Sequence, residues 1–204
     1  MTNLGLVDSK VVENSLENSM GDSESKGSKE SLRKMSSIDF SYQFNAAREY
    51  QKVEKIIFSI LSDISKENFK KSKNIGLIIV LGTFDKSEDH HVSGMRQIGV
   101  NPIQKYINLC EDTFSKDILS LFREGSDGAI IVNRNGQIIG SKVYLVVDDS
   151  SLDVPDGCGT RHISAASFST RSDIIAVFTL SEESAVVRTW KNGSFVEQFD
   201  PSDE

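Results

Sequence analysis

A chain of 204 residues with a formal net charge of −7 has room for one ordinary α/β domain and a tail, not for two full domains. That negative balance argues against non-specific binding to DNA or to membrane surfaces, where lysine and arginine must neutralise phosphates, yet leaves room for a small phosphorylated ligand held by local donors. Cys110 and Cys158 have no metal-type spacing, no apolar run approaches about 18–20 residues, and no basic-then-apolar leader opens the chain, so a reduced, cytoplasmic protein without a membrane span is expected.

Residues 1–37 are rich in Ser, Glu, Lys and Asn, and from Ser19 to Ser37 the only large apolar side chains are one Leu and two Met. Such a stretch buries too little surface to offset its ordering entropy, so residues 1–43 are expected to form a disordered tail. Arg33 and Lys34 precede Ser36, a pattern that suits a phosphorylation site but more commonly marks a solvated charge run.

From Phe44 to Asn68 the period turns helical. Ala46, Tyr50, Val53, Ile56, Ile57, Ile60, Leu61 and Ile64 recur at three- and four-residue steps, and charged residues fill the other face. Ile75 to Gly82 is a continuous, β-branched apolar run and predicts a buried central strand. Residues 83–101 read as a loop, and Pro102–Cys110 and Phe114–Phe122 as short helices. Ala129–Val132 and Gln137–Val147 read as strands around Asn133-Arg134-Asn135-Gly136, a hairpin signal. Gly159–Thr170 then predicts a small-residue helix, Asp173–Leu180 a buried strand, and Ala185–Trp190 with Ser194–Phe199 a second hairpin around Lys191-Asn192-Gly193. The fold class expected is α/β, a mixed central β-sheet flanked by helices on both faces, in a domain spanning 44–200.

Three clusters have the residue types that chemistry needs. Ser126-Asp127-Gly128-Ala129 puts a carboxylate at a strand entry beside a glycine that lets a ligand approach the backbone, though Asp-Gly is also a common turn pair. Gly157-Cys158-Gly159-Thr160-Arg161-His162 opens a helix. Its N-terminal N–H groups, a hydroxyl and a guanidinium suit a phosphate, while a capped surface helix is the plainer reading. Ser181-Glu182-Glu183-Ser184 follows a buried strand; the pair of carboxylates marks either a solvated turn or part of a site for a hard divalent cation.

Each cluster is weak alone, but their order and spacing together resemble the diadenylate cyclase family. The resemblance runs over about residues 48–199: the strand 75–82, Asp-Gly-Ala at 127–129, Tyr144-Leu145, Gly-Thr-Arg-His at 159–162, Ser-Asp at 172–173 and Ser-Glu-Glu at 181–183. It implies an enzyme that joins two ATP molecules into cyclic di-AMP with release of pyrophosphate, assisted by Mg²⁺ or Mn²⁺. Asp127 would bind the metal and activate a ribose 3′-hydroxyl, with Gly128 and Ala129 lying against the nucleotide. Tyr144 and Leu145 would border the adenine. Gly159, Thr160, Arg161 and His162 would hold the triphosphate with help from Ser181, and Glu183 or Glu182 would complete the metal site. Two such sites would face each other across a homodimer or within a higher homo-oligomer, with no membrane or nucleic-acid partner.

The chain departs from the common bacterial pattern in three places. Ile163 follows Arg161-His162 where the family usually has Arg, Ser126 precedes the Asp-Gly-Ala where a His is frequent, and the hairpin over 133–137 is about one residue longer. The first two remove a cation and a metal ligand. An apolar residue after Arg-His, together with Gly99-Val100-Asn101-Pro102, resembles the archaeal-type branch. Asp89-His90-His91 carries the letters of the DHH phosphoesterases but lacks that family's further upstream Asp and His motifs, and is read as a loop. The alternatives to an active cyclase are a non-catalytic ATP or cyclic di-AMP sensor on the same fold, suggested by Ile163 and Ser126, and an interaction module built on the helix 44–68.

Overall fold

The computed structural model describes residues 26–72, 74–84, 94–103, 107–109, 128–147, 154 and 158–204, with side chains from Arg48 onward. Helix α1 runs Lys26–Lys71 and so begins before the Phe44 that the periodicity predicts. Upstream of Phe44 large apolar residues are sparse, but there is no proline, and the Lys, Glu, Arg, Leu and Met residues from Lys26 onward favour a helix locally. Residues 1–25 lie outside those described. Met1–Asn45 and Ala46–Glu204 are separate compact units, and the second carries the sheet. Lys70 and Lys71 occupy the last turn of α1, where cations favour the helix dipole, and Ser72 leaves it at φ +50°.

The strands are β1 (Leu77–Gly82), β2 (Met95–Gln97), β3 (Ile107–Asn108), β4 (Ala129–Val132), β5 (Gln137–Leu145), β6 (Ile174–Leu180), β7 (Val187–Lys191) and β8 (Ser194–Phe199). Helix α2 (Thr160–Phe168) lies between β5 and β6 in the chain, and a 3₁₀ turn at Pro201–Asp203 follows β8. All eight strands form one mixed sheet in the order β2-β5-β4-β1-β6-β7-β8, with β3 also pairing β5. Only β1 and β4 pair in parallel, with Ile79 beside Ile130; the other pairs are antiparallel.

Alternation along β1 decides which helix covers which face. Leu77, Ile79 and Leu81 turn to α1 and pack in one core with Ile57, Leu61, Ile64, Ile130, Val132, Phe178 and Leu180. Val80 turns the other way, into a core with Ala129, Ile131, Val143, Val177, Trp190 and the Ala165, Ala166 and Phe168 of α2. The two small alanines let α2 approach the sheet closely. Helices thus cover both faces of a mixed sheet, as expected from the sequence. Trp190 is fully buried and donates its indole N–H to the Thr179 hydroxyl at 2.9 Å, which meets the cost of burying that polar tip.

Two expected elements differ. The helix expected over Pro102–Cys110 does not form at the described residues of that range, Pro102, Ile103 and 107–109. Asn101 is instead pinned to β5: its Nδ2 donates to the Ile139 carbonyl at 2.9 Å, and its Oδ1 accepts from the Ser141 N–H at 3.3 Å. Ile107 and Asn108 then pair with Ile138 and Gln137. The expected loop 83–101 contains β2, too short for its period to be read. The Phe114–Phe122 helix, His90, His91, Cys110, Ser126 and Asp127 lie outside the described residues. Both hairpins form where Asn-Gly predicts them, β7–β8 turning through Asn192-Gly193 and β4–β5 through residues 133–136.

Asn133 organises the second of these turns. Its Oδ1 accepts from the N–H groups of Asn135 and Gln137, both at 3.0 Å, and its Nδ2 donates to Gln137 Oε1 at 3.0 Å, all from a fully buried position. The Asn133→Ala variant is expected to lose about 2 kcal/mol in urea unfolding, the scale of removing several part-buried hydrogen bonds at about 0.5–1.5 kcal/mol each. A loss below about 0.5 kcal/mol would show that the turn does not depend on this side chain.

Candidate active site

Strand pairing gathers the site at one end of the sheet. Leu77 faces Leu180 and Ala129 faces Val143, so the residues entering β1 and β4 lie beside those leaving β6 and β5. There Gly128 holds φ +117°, a backbone state that L side chains avoid, and a Cβ on it would press against the backbone of Lys142 and Val143 at 2.9–3.0 Å. No other residue fits this strand entry without moving β5.

A cleft of about 330 Å³ opens beside it, within the size range of small-molecule pockets. The expected residues Gly128, Ala129, Tyr144, Leu145, Thr160 and Arg161 all line it. So do Gly76, Ile78, Ile98, Val143 and Ser164, which sequence reasoning missed. Polar and apolar surface share the walls about equally; Tyr144, 58% exposed at the rim, and Leu145, buried beneath, belong to the part suited to a flat aromatic ring.

A second cleft of about 470 Å³ lies across the start of α2, lined by Cys158, Gly159, Thr160, Arg161, His162, Ser181, Glu182 and Glu183. Thr160 and Arg161 border both clefts. Gly159 is the N-cap of α2 and supplies no side-chain capping bond; the His162 N–H donates to its carbonyl at 2.9 Å, while the N–H groups of Thr160 and Arg161 at the start of the helix remain available to an anion. The Arg161 guanidinium stands at this junction, 3.4 Å from Glu182 Oε2. Ser181 is buried at the end of β6, and its hydroxyl accepts from the Ser184 N–H at 3.3 Å, shaping the turn that presents Glu182 and Glu183. Every described residue that the sequence singled out therefore borders one of two adjoining clefts.

His162 is 7% exposed and lies 6.0 Å from the Trp190 ring. Its Nε2 is 3.3 Å from Arg188 Nη1, a group that can only donate, so Nε2 accepts and Nδ1 carries the proton. Burial, then the charges of Arg188 and Arg161, push its pKa down to about 4. The side chain is thus a neutral imidazole in the wall of the second cleft rather than a second cation beside Arg161. Arg188, which no motif flagged, is itself held by Gln198 Oε1 at 2.9 Å and lies over the Phe195 ring.

Glu182 and Glu183 are exposed carboxylates of the kind a hard divalent cation prefers. Among the described residues no three His, Cys, Asp or Glu side chains converge on one point, so any metal site here draws on a ligand outside them.

A neutral histidine has a consequence for stability. The unfolded chain binds a proton near pH 6.5 that the folded chain refuses until about pH 4, so this contribution is complete above pH 6.5 and is lost as pH falls towards 4. The His162→Gln variant is expected to show a shallower decline in melting temperature between pH 6.5 and 4 than the unaltered chain. In NMR titration the His162 imidazole should stay neutral from pH 8 to 5, and a midpoint near 6.5 would refute its burial as a neutral base.

The family model described as DisA bacterial checkpoint controller nucleotide-binding, DAC, matches residues 65–195. The diadenylate cyclase of Haloferax volcanii is 26% identical over 145 residues, covering 71% of this chain and 51% of the relative. That of Methanocaldococcus jannaschii is 28% identical over 150 residues, covering 72% of this chain and 45% of the relative. The chain spans about half the length of the curated relatives it matches. Among solved structures, a double mutant of DacA from Staphylococcus aureus aligns with a TM-score of 0.50 at 20% identity, over 76% of this chain and 92% of that one. A hypothetical membrane spanning protein from Bacillus cereus aligns with a TM-score of 0.52 at 20% identity, over 91% and 84%. These two likenesses speak for the fold. With most of the sheet and both clefts inside the matched segment, the chain belongs to the DAC family, the diadenylate cyclases.

Proposed function

We propose that this chain, through its domain at 44–200, is a diadenylate cyclase that condenses two ATP molecules into cyclic di-AMP and two pyrophosphates. The observation that carries this reading is the continuity of the cleft at Tyr144 and Leu145 with the donor-rich start of α2 through Thr160 and Arg161. An adenine placed against Tyr144, Leu145 and Ile78 leaves its phosphates to run over Gly159, Thr160 and Arg161 towards Ser181. The two named cyclases of H. volcanii and M. jannaschii support the activity, and Ile163 after Arg161-His162, with Gly99-Val100-Asn101-Pro102, is the sequence feature that favours the archaeal-type branch.

In each of two in-line steps the 3′-oxygen of one ATP attacks the α-phosphorus of the other, a new P–O bond forms, and the bond to pyrophosphate breaks. A carboxylate oxygen of Asp127, next to Gly128 in sequence, takes the 3′-hydroxyl proton. Arg161 and the first N–H groups of α2 neutralise the phosphates and align the leaving group, the main demands of such a transfer. Mg²⁺ or Mn²⁺, held by Asp127 with Glu183 or Glu182, would stabilise charge on the phosphoryl oxygens. Each site binds one ATP, so catalysis requires two copies facing each other, as a homodimer or part of a higher homo-oligomer.

Incubation with ATP and Mn²⁺ or Mg²⁺, read by mass spectrometry, is expected to yield cyclic di-AMP, with Asp127→Ala folded and inactive. ATP binding without pyrophosphate release would replace this reading with a nucleotide sensor, which the exposed Ile163 after Arg161-His162 would then explain. Arg161→Ala is expected to weaken ATP binding by about 10- to 150-fold, the equivalent of roughly 1.5–3 kcal/mol of charge-assisted hydrogen bonding. Unchanged affinity would remove Arg161 from the phosphate site.

A further inference from the structure

We propose that Ser65 and Asn68, at the end of α1, are positioning residues that set the direction of the Arg161 guanidinium from two sides. The proposal rests on the nucleotide-binding reading above. Ile57, Leu61 and Ile64 form the buried stripe of α1, and Ser65 and Asn68 continue it as polar residues only 0% and 2% exposed. They stand one helical turn apart on the same face. Each spends its hydrogen bond on a different loop of the site. Ser65 Oγ donates to the Ala185 carbonyl at 2.5 Å, and Asn68 Nδ2 donates to the Ile75 carbonyl at 3.1 Å.

Both loops end on Arg161. Ile75 precedes Gly76, and a Cβ on Gly76 would collide with the Arg161 guanidinium, so that glycine is the floor on which the guanidinium lies. Ala185 closes the turn that begins at Ser181 and carries Glu182, the carboxylate 3.4 Å from Arg161 Nη2. Ala185 holds φ +57°, a state an alanine keeps only when its surroundings enforce it, and the Ser65 bond is one such constraint. The Arg161 side chain is 32% exposed, so no enclosing pocket fixes it; the floor and the carboxylate do.

Stability alone is a poor reason for this pair. Asn68 Oδ1 is buried without a hydrogen-bond partner among the described residues, an unfavourable arrangement that an apolar side chain on the stripe would avoid. What the asparagine provides and an apolar residue cannot is the hold on Ile75.

The test measures ATP affinity by calorimetry in the presence of Mg²⁺, and thermal stability, for Ser65→Ala and Asn68→Ala, each with Arg161 present and in an Arg161→Ala background. The expected result is at least a fivefold loss of ATP affinity for each variant when Arg161 is present, and little or none when it is absent, while melting temperature falls alike in both. Unchanged affinity in a folded Asn68→Ala chain, or an equal loss in both backgrounds, would overturn the proposal and leave the two residues structural. Gly76→Ala moves the same guanidinium without touching α1, and it decides the matter should the helix variants fail to fold. It is expected to show the same loss and the same dependence on Arg161, and unchanged affinity would overturn the proposal. An unaltered chain that does not bind ATP would overturn the parent reading and this inference together, whereas binding that is indifferent to the variants would overturn this inference alone.

Discussion

The antiparallel pairing of β1 with β6 is the constraint on which the site depends. Leu77 opposite Leu180 puts Gly76 and Ser181 side by side at one edge, although about a hundred residues of chain separate them. A slip of one residue would turn Ile79 and Phe178 out of their core, so the buried faces hold the register that the site needs. Helix α2 then has one place to go. Ala165 and Ala166 sit against Val177 and Trp190, and the start of the helix projects to the edge where Gly76 and Ser181 already stand. The position of the anion-facing end thus follows from hydrophobic packing on the far side of the sheet.

Charge at that end is arranged with economy. Of the Thr160-Arg161-His162 run, only Arg161 brings a cation to the clefts, because burial against Trp190 and contact with Arg188 keep His162 neutral. A helix periodicity of about 3.6 accounts for this: adjacent residues at the start of α2 point about 100° apart, so Arg161 reaches both clefts while His162 turns towards Trp190 and the sheet. The histidine in the motif is better understood as part of the wall between the cleft and the Trp190 core than as a donor of charge.

How much of this was legible in the sequence depended on range. Elements governed by local period or local turn chemistry were readable: the strand at Ala129–Val132, both Asn-Gly hairpins, and the exposed and buried faces of α1. The candidate site residues were legible as Asp-Gly-Ala, Gly-Thr-Arg-His and Ser-Glu-Glu, short strings with a fixed order, and the fold brings those of them that line a cleft to two adjoining ones. Gly76, Ile98 and Arg188 were not readable, since their roles arise from strand pairing between segments distant in sequence. Asn101 defeated a helical expectation in the same way, by bonding to Ile139 and Ser141 some forty residues away. Asn68 and Ser65 left a faint signal, polar residues continuing an apolar stripe, whose meaning required the partners at Ile75 and Ala185.

A net charge of −7 is compatible with the proposed triphosphate ligand because binding depends on local partners rather than on the average. The contact between Arg161 and Glu182 shows how the acidic surroundings are made compatible with that task. Both groups are partly exposed, at 32% and 52%, so their ion pair is worth no more than about 1 kcal/mol. Charge-assisted hydrogen bonds from the same guanidinium to a phosphate are worth roughly 1.5–3 kcal/mol. The carboxylate therefore orients the arginine without outcompeting a phosphate for it, and under the proposed function a phosphate that took the guanidinium would release Glu182 beside Glu183. A weak pair at this point would do what a strong one could not: it keeps the cation directed across Gly76 and would yield it to an anion.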